Sequence, residues 1–320
     1  MSAGSDHIDV TTSKKRNIPV ACTSIVVDNA VADVAVLLTV AASRRLYEGS
    51  THIQQFDVII TEQKPAASRK QILDKVKGVD ALFWCTKERL DDEVLDTAGP
   101  QLKVVATMSS GLDHIDVPAL KKRNIPLGNT PKVLDDAVSE IAVLLTLAAC
   151  RRFQEGRMHI EQGIWSGVGV QYLLGTDLEN STVGIVGLGG IGQAIAKRLK
   201  AFDIGRLLYS GHREKSEGKQ LGAEFVSFKT LLRESDFVIV AAPLTDETRH
   251  MFNRTTFSLM KNSSVFVNIA RGLIVDQDAL IEALKDGTIF AAGLDVMVPE
   301  PLPTDSELLK LPNCGKCTKM

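Results

Sequence analysis

From about residue 180 onward, this 320-residue chain alternates short apolar runs with amphipathic ones, as strands and helices do in turn. Thr182-Val-Gly-Ile-Val-Gly187 is a continuous apolar run suited to a strand buried on both faces. Further strands are predicted at Arg206 to Ser210, Glu224 to Val226, Phe237 to Ala242, Ser264 to Ala270 and Ile289 to Asp295. Helical segments, beginning with Gln193 to Phe202, fall between most of them. That alternation predicts an α/β fold, a Rossmann-type doubly wound parallel sheet covered on both faces. Upstream, Asn124 to Gly128 reads as a strand and Asp135 to Arg152 as a long apolar helix.

This upstream pattern occurs twice. Residues 1–53 match residues 108–160 at a constant offset of 107 without gaps, with roughly 32 of the 53 pairs identical. Repeat architectures stack several copies that bury one another's faces, and two distant copies cannot do so. The first copy, with a strand at Asn17 to Cys22 and a helix at Asp28 to Arg45, therefore reads as a partial tandem duplication or a join of neighbouring gene copies.

Composition narrows the class. A formal net charge of -2 with no basic block argues against a nucleic-acid partner. The longest apolar runs, Val34 to Ala42 and Ile141 to Cys150, are too short to span a bilayer, so no membrane partner is expected. The start, MSAGSDHIDV, has neither a cationic leader nor an apolar core, so no signal peptide is expected. Cys22, Cys85, Cys150, Cys314 and Cys317 are scattered and odd in number, as in a cytoplasmic protein with reduced thiols. Cys314 and Cys317 form a lone CxxC without His or Cys partners nearby, so no metal site is expected.

The chemistry begins at Gly187-Leu188-Gly189-Gly190-Ile191-Gly192, which follows a strand and opens a helix, the context that makes GxGxxG a dinucleotide fingerprint. Gly187 permits the tight turn, Gly189 lets the backbone approach a pyrophosphate, and Gly192 lets helix and strand pack closely. The phosphates then meet the N–H groups and positive dipole end of the helix. An NAD enzyme carries Asp or Glu at the end of the second strand for the ribose 2′-OH. Here the segment is Tyr209-Ser-Gly-His-Arg-Glu-Lys215, with no carboxylate at the strand tip. Ser210, His212 and Arg213 suit a 2′-phosphate instead, which favours NADP(H) over NAD(H).

Together with GLGGIG, four segments resemble the D-2-hydroxyacid dehydrogenases: Ala242-Pro243-Leu-Thr, Val267-Asn-Ile269-Ala270-Arg271-Gly272, Ala292-Gly-Leu-Asp295-Val296 and Pro299-Glu300-Pro-Leu302. The nearest likeness is to the glyoxylate reductase/hydroxypyruvate reductase branch, whose members favour NADPH. The match covers about residues 54–314. The resemblance implies a flavodoxin-like substrate domain, incomplete here, over 54–131 and the NADP-binding domain over 132–314, leaving 1–53 as the duplicated fragment and 315–320 as an aberrant tail. It also implies a homodimer joined through the Asp135 helix, and reduction of a 2-oxo acid such as glyoxylate or hydroxypyruvate to its 2-hydroxy acid.

By the same resemblance, Arg271 binds the substrate carboxylate and polarises the carbonyl. Ser110 and Gly111, in the loop Ser109-Ser-Gly111, supply backbone N–H groups to the carboxylate, and Trp165 is an aromatic of the reductase branch. Asp295 holds the nicotinamide amide. Glu300 raises the pKa of a catalytic histidine, a charge-neighbour effect. Pro243, Ile269 and Ala270 line the cofactor. Three departures stand out. The expected Pro-His-x-Gly-Ser segment is absent, and no histidine follows His250. The opening strand and helix of the substrate domain are replaced by the duplicated block, the family pattern resuming near Phe56 to Ile60. The second tryptophan of the branch is Val168. These departures predict impaired turnover; a non-catalytic nucleotide binder and the product of a mis-joined gene model are the alternatives.

Overall fold

A computed structural model describes residue 59 and residues 67–317, save 87, 166, 168 and 170. The duplicated block at 1–53, the Phe56 to Ile60 segment apart from Ile59, and Val168 lie outside the described residues. The chain divides into two compact units, Met1–Val133 and Leu134–Met320, a boundary two residues beyond the one the sequence suggested.

The first unit holds a parallel sheet of β1 (Ala81–Phe83), β2 (Val104–Ala106) and β3 (Leu127–Gly128), in that order. Around it lie α1 (Arg69–Lys75), α2 (Asp92–Ala98) and α3 (Val117–Lys122). Asp91 and Asp116 cap α2 and α3 by accepting hydrogen bonds from the Val94 and Ala119 N–H groups. The core gathers Ile72, Trp84, Leu90, Val94, Leu95, Val105 and Leu120.

The second unit opens with α4 (Asp135–Cys150) and α5 (Phe153–Glu161). The nucleotide half then runs β4 (Thr182–Val186), α6 (Gly190–Leu199), β5 (Arg206–Ser210), α7 (Ser216–Leu221), β6 (Glu224–Phe225), α8 (Phe228–Glu234) and β7 (Phe237–Val240). It finishes with α9 (Arg254–Phe257), β8 (Val265–Asn268), α10 (Gln277–Lys285), β9 (Ala291–Leu294), α11 (Glu307–Lys310) and β10 (Cys314–Lys316). All seven strands are parallel, in the order β10-β9-β8-β7-β4-β5-β6. The chain winds outward from β4 through β5 to β6, then crosses back to β7 and winds the other way. This reversal puts the topological switch point between β4 and β7, where such sheets bind ligands.

Side chains alternate across a strand, so each strand feeds two cores. Val238, Val240, Phe266 and Leu294 join Phe252, Phe257 and Leu280 on one face. Phe237, Ile239, Val265 and Val267 join Ala142, Leu145, Ile195 and Leu199 on the other. The helix α4 therefore belongs to this unit's core. A Cβ on Gly293 would stand 2.9 Å from the Leu145 Cβ, so strand and helix approach closely there.

Two expectations change. The helix α6 begins at Gly190, three residues before the amphipathic run suggested, because the glycines that open it carry no apolar signal. Residues 315 and 316, expected in an aberrant tail, instead pair with Gly293 and Leu294 as the edge strand β10. Cys314 and Cys317 face opposite sides of the sheet: Cys314 lies in one core, and Cys317 packs against the other. Among the described residues no group of three or more His, Cys, Asp or Glu could hold a metal. No described helix is long and apolar enough to cross a membrane.

Candidate nucleotide and substrate site

Parallel strands bring their C-terminal ends to one edge of the sheet, and the sequence motifs of the second unit sit there. Gly187 follows β4, Ser210 ends β5, Pro243 lies just beyond β7, Ile269 to Arg271 follow β8, and Asp295 follows β9. The strand order thus gathers residues more than 100 positions apart in the chain.

At the switch point Gly187 has φ +96°, and a Cβ there would stand 2.8 Å from the Ala242 backbone. Only glycine fits both the turn and the contact. Gly192 meets the same limit, its Cβ position lying 2.2 Å from the Gly187 carbonyl oxygen. At Gly189 nothing stands within 4 Å of a Cβ, so the backbone is open to a ligand. The helix α6 starts at this point without a side-chain cap. Its first N–H groups and dipole therefore face the open side of the loop, a cradle that fits a dinucleotide's pyrophosphate.

Beside the loop, Leu188 is buried and its carbonyl accepts from Lys215 Nζ at 2.9 Å and Gln193 Nε2 at 3.2 Å. Ser210 is buried at the tip of β5, and its carbonyl accepts from the Gly187 N–H at 2.9 Å. His212 and Arg213 are exposed just beyond it. The nearest following carboxylate, Glu214, pairs with Lys219 at 3.5 Å.

The β8 tip is braced by Asn268, which is buried. Its Nδ2 donates to the Arg271 carbonyl at 2.9 Å, and its Oδ1 accepts from the Ala270 N–H at 3.1 Å. Arg271 Nη1 donates to the Ala270 carbonyl at 2.8 Å. Gly272 seats this turn against the next one, a Cβ there falling 2.3 Å from the Met297 carbonyl oxygen. Gln277 clasps the Val298 backbone through both N–H and carbonyl. Glu300 Oε1 accepts from the Met297 N–H at 3.2 Å. The Arg271 and Glu300 loops are therefore fixed to one another through backbone contacts.

Asp295 is buried, and its N–H donates to the Asn268 carbonyl at 3.0 Å. Cys317 Sγ donates to Asp295 Oδ1 at 3.1 Å. Burial, with the adjoining Asp295 carboxylate, pushes the Cys317 thiol up to about 12, so it stays protonated at neutral pH.

The remaining predicted residues belong to other segments of the chain. Ser110 and Gly111 follow β2 in the first unit, in a loop where Ser109 Oγ donates to the Gly111 carbonyl at 2.6 Å and Asn129 Nδ2 reaches the Ser110 carbonyl at 3.4 Å. Trp165 is 57% exposed after α5, lining a hollow with Phe153, Ile160 and Tyr172 that includes none of the strand-tip residues. Sequence reasoning assigned no supporting role to Asn268, Gln277, Cys317 or Lys215. Only the Asn within Val267-Asn-Ile-Ala-Arg offered a signal, since a polar residue closing a buried strand requires partners.

Comparison with known proteins agrees with this geometry. The D-isomer specific 2-hydroxyacid dehydrogenase, NAD binding domain family matches residues 143–316, so the match includes β10. The human glyoxylate reductase/hydroxypyruvate reductase is 46% identical over 246 residues, 77% of this chain and 75% of that protein. The glyoxylate reductase of Pyrococcus horikoshii is 44% identical over 263 residues, 81% of this chain and 78% of that protein. A crystal structure of a Thermus thermophilus protein superposes with a TM-score of 0.77 at 38% identity, covering 84% of each chain. The chain belongs to the D-isomer-specific 2-hydroxyacid dehydrogenase family, of the glyoxylate reductase type.

Proposed function

We propose that this chain binds NADP(H) at the strand tips of its second unit, and that the reaction of its site is reduction of glyoxylate, hydroxypyruvate or a similar 2-oxo acid. One observation carries the cofactor preference: the end of β5 is cationic. Ser210 closes the strand, and Glu214 is turned onto Lys219. His212 and Arg213 follow directly, and Lys215 is drawn over the glycine loop by the Leu188 carbonyl. A 2′-phosphate suits such a cluster, whereas a ribose 2′-OH calls for a carboxylate.

The bound cofactor would supply a hydride to the C2 carbon of the oxo acid. Arg271 presents a planar fork matched to a carboxylate, at a strand tip where substrates of such sheets bind. Asp295 accepts the nicotinamide carboxamide, and Pro243, Ile269 and Ala270 bound the ring's side of the edge. Glu300 keeps the role of supporting a proton donor, yet these 320 residues hold no histidine after His250. Removing a positioned general acid lowers rate by about 10²–10⁴.

The purified 320-residue polypeptide should bind NADPH more tightly than NADH. It should also turn over glyoxylate and hydroxypyruvate at least about 100-fold more slowly than a relative that keeps the histidine. Tighter NADH binding overturns the cofactor assignment, and turnover at the relative's rate overturns the impairment. Binding without turnover is the outcome of the second reading, a non-catalytic nucleotide binder. We also assign a cytoplasmic homodimer. The four described cysteines are free thiols, and Leu144, Phe153 and Ile160 expose an apolar face along α4 and α5. Sedimentation equilibrium reads the dimer directly.

A further inference from the structure

The β10 edge strand was not expected, and it delivers Cys317 to the tip of β9. There the Cys317 N–H donates to the Leu294 carbonyl at 3.0 Å, which fixes the backbone beside Asp295. The Cys317 thiol donates to Asp295 Oδ1 at 3.1 Å. Asp295 is only 7% exposed, and its own N–H is committed to the Asn268 carbonyl.

A buried carboxylate needs donors to offset its desolvation. A thiol is a weak donor to a neutral acceptor, but the bond strengthens when the acceptor is ionised. The Asp295 side chain can also turn about its Cα–Cβ and Cβ–Cγ bonds. A donor seated on one oxygen fixes the plane of the carboxylate and leaves the second oxygen for an incoming amide N–H.

We propose that Cys317 is a positioning residue for the nicotinamide end of the cofactor, holding the Asp295 carboxylate in the orientation that accepts the carboxamide. The inference rests on the assignment of Asp295 to the carboxamide made above. It deepens that assignment by naming the group that orients the acceptor. The thiol's high pKa keeps its proton in place across the physiological range, so the hold does not depend on pH there.

The test compares two ligands that share the adenosine and diphosphate halves, NADPH and 2′-phospho-ADP-ribose, by calorimetric titration of the full 320-residue chain. Cys317→Ala should weaken NADPH binding by about three- to tenfold and leave 2′-phospho-ADP-ribose affinity unchanged. Cys317→Ser, which keeps a donor at the position, should recover most of the loss. Equal weakening toward both ligands overturns the proposal, since a merely structural role acts on the whole site. Asp295→Ala separates the two layers of the argument. If it lowers the ratio of NADPH to 2′-phospho-ADP-ribose affinity while Cys317→Ala does not, the Cys317 inference alone falls. If it leaves that ratio intact, the assignment of Asp295 falls as well.

Discussion

The two units solve the same problem, a parallel sheet in water, with different means. In the second unit β7, β8 and β9 sit between two cores, and Phe252, Phe257 and Phe266 pack with ring centroids 4.8–6.1 Å apart. In the described part of the first unit the sheet has three strands of two or three residues and one core cluster. Charge and capping supplement that core. Arg69 joins Asp91 and Glu93 at 2.5 and 2.6 Å, and Arg123 joins Asp92 and Asp96 at 2.6 Å each. Buried apolar area is indifferent to pH, whereas capped helices and ion pairs are not. Ion pairs and caps occur in the nucleotide unit too, as at Arg206 with Glu224 and Glu234 and at Asp276, but there they add to two cores. The described part of the first unit, with one core, should yield first when its carboxylates are protonated.

The largest expected effect tests the packed unit. Phe266→Ala removes a fully buried ring shared by Phe252 and Phe257 and should cost about 3–5 kcal/mol of stability. Denaturant unfolding would read it, and a cost below about 1 kcal/mol would break the contrast between the units.

An intermediate effect is expected at the switch point. Gly187→Ala places a Cβ 2.8 Å from the Ala242 backbone at φ +96°, so it should cost about 1–3 kcal/mol and lower NADPH affinity at least tenfold. Titration of nucleotide against the variant decides this, and unchanged affinity would mean that the loop does not form the cradle.

The smallest effect concerns the first unit. Burial pushes the Asp91 carboxyl up, but its bonds to Arg69 and to the Val94 N–H outweigh burial and leave its pKa below the ordinary value. A depressed folded pKa stabilises above the unfolded pKa, and the benefit is lost as pH falls through the folded one. Asp91→Ala should therefore cost about 0.5–2 kcal/mol near neutral pH, the range for a lost helix cap, and the cost should shrink below about pH 4. Amide exchange in α2, followed against pH, measures it. A cost that persists undiminished in acid would contradict the role of charge here.

Much of the second unit was legible in its sequence. The apolar runs fixed β4, β5 and β7 to β9 within a few residues, because strands covered on both faces must be apolar throughout. GLGGIG marked the cradle because two of its glycines are imposed by backbone contacts that any side chain would block. The edge strand β10 was not legible, since Cys314-Gly-Lys316 carries no β-branched residue and pairs on one side only. Its lysine reaches back to the Leu308 carbonyl, a partner that no local pattern announces. The supports Gln277 and Lys215 were equally hidden, because each acts on backbone of another turn or element, at Val298 and Leu188.

By itself the sequence determined the order of strands and helices, the glycine bend and the family, since these depend on local periodicity and on residue types that a backbone conformation demands. Only the tertiary structure decided that residues 315–317 extend the sheet, that α4 belongs to the core of the nucleotide unit, and that a cysteine faces Asp295. Those outcomes depend on contacts between segments distant along the chain. Such contacts are set by strand order and close packing, which leave no periodic trace in either partner.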